Sequence, residues 1–108
     1  MKTFDQLDAK QQEDAVGMAF YELMTLIADG TLEIKLSSSD SQKRLEKILS
    51  DARKNDSQRL VKLYMLHDRP IRRELERLAL VAAHGSEYTL EGDAVKEIDS
   101  ETAKRIVG

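Results

Sequence analysis

Val16, Ala19, Phe20, Leu23 and Ile27 recur at spacings of three and four between Asp8 and Gly30. That spacing places all five on one stripe of a helix. Asp8, with Gln11 three residues on, has the form of a reciprocal capping box. Gly30 is the residue type that ends a helix in the left-handed conformation. Together these signals predict a helix over 8–29, a spine around which a chain of 108 residues must organise itself. Met18, Tyr21 and Met24 widen the stripe, so neighbours are expected on more than one side. One Pro and five Gly favour long uninterrupted helices. The length predicts a single domain over 1–108.

Beyond Gly30 the pattern changes period. Thr31 to Leu36 alternates polar and apolar, which predicts a short half-buried strand after the first helix. Ser37 to Ser41 suits a turn and a helix cap, and Leu45, Ile48, Leu49 and Ala52 predict a second helix near 40–54. Asn55-Asp56 breaks it and can cap a third helix carried by Leu60, Leu63, Tyr64 and Leu66. Asp68 and Pro70 open a fourth, with Ile71, Leu75, Leu78 and Ala82 on one face, stopping at Gly85. Glu87–Glu91 and Ala94–Ile98 flank Gly92-Asp93 as a hairpin would. Val95, Ile98 and Thr102 also fit a helical stripe opening at Asp93; the hairpin is preferred, followed by a short C-terminal helix capped by Ser100. The predicted fold class is mainly α (α+β): four helices and more, a short strand after the first helix, and a C-terminal β-hairpin.

Residues that carry chemistry are sparse. His67 and His84 stand 17 positions apart with no Cys or second His at ligand spacing, so no metal site is expected. The serines lack a Gly-x-Ser-x-Gly elbow, and the glycines are scattered singly rather than gathered into a phosphate loop. Glu13/Asp14 and Glu74/Glu76 read as solvated helix surface, where nothing raises a carboxyl pKa for acid catalysis. The expectation is a protein without cofactor and without catalytic activity.

Charge is segregated along the chain. Residues 1–34 balance at −5, 53–77 at +4 and 78–108 at −3, within a net −3. Arg69, Arg73 and Arg77 fall at i, i+4 and i+8, with Arg72 beside them and Arg59 and Lys62 from the preceding segment. Such a row can make bidentate contacts to phosphates or carboxylates; internal pairing with Glu74 and Glu76 would make it an ordinary solvated face. The longest unbroken apolar run, Leu78 to Ala83, is far short of the roughly 20 residues of a bilayer crossing. The first eight residues contain no apolar core of an export signal. A cytoplasmic location without membrane contact is the expectation.

The order of two helices joined by a short turn and then a hairpin resembles winged-helix transcription regulators over about residues 32–98. The resemblance implies Arg59–Leu66 as the supporting helix, Ile71–Ala83 as the recognition helix, Glu87–Ile98 as the wing, and Leu32–Leu36 as a third strand. Its extra helix near 40–54 and its acidic wing (Glu87, Glu91, Asp93, Glu97) depart from that family. The opening Phe4-Asp5-x-Leu7, followed by Gln11-Gln12 and an amphipathic helix, resembles small phage- and prophage-encoded accessory proteins. That resemblance implies a non-catalytic chain that binds host or phage machinery.

The first expectation is therefore a non-enzymatic interaction protein that binds and modulates or inhibits a macromolecular partner, such as a phage-encoded inhibitor of host nucleic-acid-handling or defence machinery. Its protein-binding residues would be Asp5, Asp14, Glu22, Glu91 and Asp93, set against a basic groove on the partner. The alternative is a winged-helix-like DNA-binding regulator, a homodimer through its first helix, that uses Arg59, Lys62, Arg69, Arg72, Arg73 and Arg77.

Overall fold

The computed structural model describes residues 1–98 and 101–107. Its longest helix, α1 (Ala9–Ala28), starts where the capping box places it. The Gln11 N–H donates to Asp8 Oδ1 at 2.8 Å, and the Asp8 N–H donates to Gln11 Oε1 at 3.0 Å. Three more helices follow: α2 (Ser39–Asn55), α3 (Gln58–His67) and α4 (Arg69–His84). Strands β1 (Lys2–Thr3), β2 (Glu87–Glu91) and β3 (Ala94–Glu97) form one antiparallel sheet in the order β1-β2-β3, and α5 (Thr102–Val107) ends the chain. The fold is mainly helical with a small β element, as the periodicities require.

The chain divides into two compact units, residues 1–23 with 76–108 and residues 24–75. In the first, Ala15 and Ala19 of α1 and Ala79, Ala82 and Ala83 of α4 are buried with Phe4, Leu7, Tyr88 and Val95. Alanines on both helices let the backbones approach closely, while Phe4 and Tyr88 supply the bulk. The hairpin forms as predicted, with Leu90 opposite Val95 and Gly92 at a φ of +61° in the turn. A polar knot ties α5 to the end of α4. Arg105 donates to the Ala82 carbonyl at 3.0 Å and pairs with Glu97, and Ser86 Oγ donates to Glu97 at 2.6 Å. Gly85 is explained by this knot. Its φ is not positive, but a Cβ there would meet Arg105 Cδ at 3.1 Å.

The second unit buries Met24, Ile27, Leu32, Leu36, Leu45, Val61, Met65, Ile71 and Leu75. Three expectations need correction. The segment 31–36 belongs to no sheet. The alternation is real, since Leu32 and Leu36 are buried between exposed Thr31, Glu33 and Lys35. Its backbone, however, is partnered by a side chain. Leu36 N–H donates to Gln42 Oε1 at 2.7 Å, and Gln42 Nε2 donates to the Ile34 carbonyl at 3.4 Å. One glutamine amide thus stands where a neighbouring strand would, and the third strand of the sheet comes instead from Lys2–Thr3. The third strand that the winged-helix resemblance assigned to Leu32–Leu36 is absent for the same reason.

The second correction concerns caps. Asp56 ends α2 in the left-handed conformation, at φ 49°, and it is Ser57 that caps α3 through its Oγ and the Leu60 N–H. The third is an inverted stripe. The residues expected to bury α3 (Leu60, Leu63, Tyr64 and Leu66) are exposed, and Val61 and Met65 are the buried pair. The predicted Ser100 cap of the last helix lies outside the described residues.

Because Gln42 carries two backbone groups of the 34–36 segment, Gln42→Ala should lower stability by about 1–2 kcal/mol in urea unfolding. Hydrogen exchange at the Leu36 amide should accelerate in the same variant. An unchanged Leu36 exchange rate would show that the amide is not its partner.

A candidate docking groove between α2 and α3

Helix α3 carries apolar side chains at six of ten positions: Leu60, Val61, Leu63, Tyr64, Met65 and Leu66. Burying Val61 and Met65, four residues apart, accounts for one face only. Leu60, Leu63, Tyr64 and His67 form a second stripe at i, i+3, i+4 and i+7 that faces solvent. Leu60 is 38%, Leu63 41% and Tyr64 55% exposed. Exposed apolar side chains grouped along one helix face are the pattern of a contact surface rather than of scattered surface residues.

The opposite wall comes from α2. Arg44, Lys47, Ile48, Asp51, Ala52 and Asn55 follow one another at helical spacing and face Leu60, Tyr64 and His67 across an open groove of about 680 Å³. Ile48, Ala52, Leu60 and Tyr64 make an apolar floor, and charged or amide groups stand along the rim. The two-residue connection Asp56-Ser57 folds the helices into a hairpin, so the start of α2 meets the end of α3.

An ion pair closes that end. Arg44 Nε donates to Asp68 Oδ2 at 2.8 Å and Arg44 Nη2 donates to Asp68 Oδ1 at 3.3 Å, while Nη2 also reaches Ser41 Oγ at 3.2 Å. Asp68 is in addition the cap of α4, accepting from the Ile71 N–H at 3.3 Å, and its own N–H donates to the Tyr64 carbonyl at 3.0 Å. The Arg44 guanidinium and then the Ile71 N–H hold the Asp68 carboxyl below the usual carboxylate range, against the cost of its partial burial. Further along α4, Glu74 fastens the preceding segment, accepting from the Ser37 N–H at 2.7 Å and the Ser37 hydroxyl at 2.5 Å.

The acidic residues singled out in the sequence lie elsewhere, on three separate elements of the first unit. Asp5 is exposed beside β1 with its carboxylate 3.9 Å from His84 Nδ1. Asp14 and Glu22 share α1, and Asp14 lies 3.9 Å from the Lys10 amine. Glu91 and Asp93 sit at the hairpin end, Glu91 paired with Lys96 at 2.8 Å. Of the basic set, Arg59 is exposed in the first turn of α3 and Lys62 is half-buried further on. Arg69, Arg72, Arg73 and Arg77 are all exposed on α4, in the helical spacing read from the sequence. The His84 ring lies 4.2 Å from that of Phe4. Sequence reasoning missed the groove because it assigned Leu60, Leu63 and Tyr64 to the core. The surplus of apolar residues on so short a helix is the signal that could have found it.

Among the described residues, no helix is long and apolar enough to cross a membrane. Comparison with protein-family models, curated proteins and solved structures gives no match.

Asp68→Ala removes the Arg44 pair and the cap of α4 together, whereas Arg44→Ala spares the cap, so Asp68→Ala should cost more in urea unfolding. Loss of the cap alone is worth about 1 kcal/mol. Because folding lowers the Asp68 pKa, its contribution is complete above the unfolded value, about 3.9, and disappears as pH falls through the folded value. The wild-type and Asp68→Ala stabilities should therefore converge on acidification; a gap that persists undiminished to pH 2 would contradict the assignment.

Proposed function

We propose that the chain is a non-enzymatic interaction protein that binds a protein partner through the α2–α3 groove and acts by occupying a surface of that partner. The observation that carries this reading is the second apolar stripe of α3, whose Leu60 and Tyr64 share an open groove with Ile48 and Ala52 of α2. Solvating Leu60, Leu63 and Tyr64 costs free energy that a partner recovers by covering them. The rim residues Arg44, Lys47, Asp51 and Asn55 suit the polar margin of such an interface. A phage-encoded inhibitor of host nucleic-acid-handling or defence machinery is the form of this function that the opening residues suggest by resemblance. Asp5, Asp14, Glu22, Glu91 and Asp93 would be the contact residues in the competing reading.

The alternative, DNA binding, is favoured by one observation: Arg69, Arg72, Arg73 and Arg77 are exposed on a single rigid helix. Against it, the hairpin that would serve as a wing exposes Glu87, Glu91 and Asp93, which repel phosphates.

A photo-crosslinking residue placed at position 64, and separately at position 91, distinguishes these surfaces in cells that express the chain. The account expects a discrete protein adduct from position 64 that Ile48→Glu suppresses. Adducts from position 91 alone would move the contact to the acidic surface, and nucleic-acid adducts alone would favour the arginine row of α4.

A further inference from the structure

The partner's chemistry can be read from the groove's shape and from the charge of the helices that frame it. From 39 to 67 the sequence holds seven basic residues (Lys43, Arg44, Lys47, Arg53, Lys54, Arg59, Lys62) against four acidic ones, a balance of +3. The remaining residues carry ten basic and sixteen acidic side chains, a balance of −6. An anionic protein thus carries a positive balance on the two helices that hold its exposed apolar floor. Lys43, Lys47, Lys54 and Arg59 are exposed on these two helices, and Lys47 lines the groove itself.

Geometry selects among occupants. A small molecule in a pocket usually loses about 70–90% of its surface to the protein. This groove is flanked by Leu60 and Tyr64 at 38% and 55% exposure and is too open for that. An added strand needs a sheet edge for its backbone hydrogen bonds, and both walls here are helices. From Arg44 to Asn55 the α2 wall is about 16 Å long, matching three turns of a helix laid alongside. A helix seated between two helices presents anchors at i, i+3 or i+4, and i+7, the spacing of Leu60, Tyr64 and His67 themselves. A single strand of nucleic acid would want several stacking rings, whereas the floor is chiefly aliphatic, with Ile48, Ala52 and Leu60 around one Tyr.

We infer that the groove receives an acidic amphipathic helix of the partner, its apolar stripe on Ile48, Leu60 and Tyr64 and its carboxylates toward Lys47 and the exposed basic side chains of α2 and α3. This rests on the proposed docking role of the groove and names the class of its ligand. Attraction between the flanking charges orients the helix and speeds encounter, while the apolar floor holds it.

The test uses the full chain and three labelled 18-residue peptides in fluorescence anisotropy. One has Leu at i, i+3, i+4 and i+7 with Glu elsewhere on its polar face. The second keeps the Leu positions with Lys in place of Glu, and the third scrambles the first. The acidic amphipathic peptide should bind at least tenfold more tightly than the other two. Raising salt from 50 to 300 mM should weaken it about tenfold. Tyr64→Glu should abolish binding and Tyr64→Phe preserve it, both with wild-type helicity by circular dichroism, and Lys47→Glu with Arg59→Glu should reverse the preference toward the Lys peptide. Tighter binding of the Lys peptide, still lost in Tyr64→Glu, would overturn the acidic assignment and leave groove docking intact. Binding of the acidic peptide that is indifferent to Tyr64→Glu, or its displacement by a single-stranded oligonucleotide, would overturn the inference. Absence of any Tyr64-dependent peptide binding, together with no adduct from position 64, would remove the docking reading as well.

Discussion

Asp68 is the one residue between α3 and α4, and the arrangement of the second unit depends on how it is held. Its backbone N–H closes the last turn of α3, its carboxylate opens α4, and the same carboxylate takes two hydrogen bonds from Arg44 on α2. Three helices are therefore referenced to one side chain. A helical hairpin without that contact would be fixed only by its two-residue turn and its buried stripe. With it, the far end of the hairpin is pinned as well, and the α2 and α3 faces stand apart at a set separation. The guanidinium–carboxylate fork suits this role because its two bonds fix orientation as well as distance.

The groove follows from how α3 divides its apolar residues. A ten-residue helix has room for one buried face, and Val61 and Met65 fill it. Leu60, Leu63, Tyr64 and Leu66 remain outside at a cost in solvation. That surplus is a local conflict between stability and sequence, and such conflicts are where a folded chain shows its contact surfaces. The first unit also leaves large apolar side chains in solvent, but on separate elements (Met18 and Tyr21 on α1, Leu80 and Val81 on α4, Ile98 after β3), whereas those of the second unit share the one short helix α3.

Much of the fold was legible in the residues. Asp8 and Gln11 announce the start of α1, Asp68 and Pro70 the start of α4, and Gly92-Asp93 the hairpin, because each is a local device whose geometry is written in a few neighbouring positions. What failed was non-local. The alternation of 31–36 correctly signals which side chains are buried, but no short pattern says that Gln42 partners its backbone in place of a strand. For α3, the sequence points to Leu60, Leu63, Tyr64 and Leu66 as the buried stripe, and tertiary packing decides otherwise: Val61 and Met65 meet the core, and Leu60 and Tyr64 do not. The charge rows were legible as rows. Their working role was not, since exposure of Arg69–Arg77 and pairing of Asp14 and Glu91 are surface properties that periodicity does not carry.

The central claim is that the apolar face shared by α2 and α3 is the working surface of this chain. Backbone amide chemical-shift mapping of the isotope-labelled chain against its captured partner tests it most directly. Perturbations concentrated over 44–55 and 60–67 are the predicted result. A quiet α2–α3 face, with the shifts gathered instead at Asp5, Asp14, Glu22, Glu91 and Asp93 or along Arg69–Arg77, would contradict it.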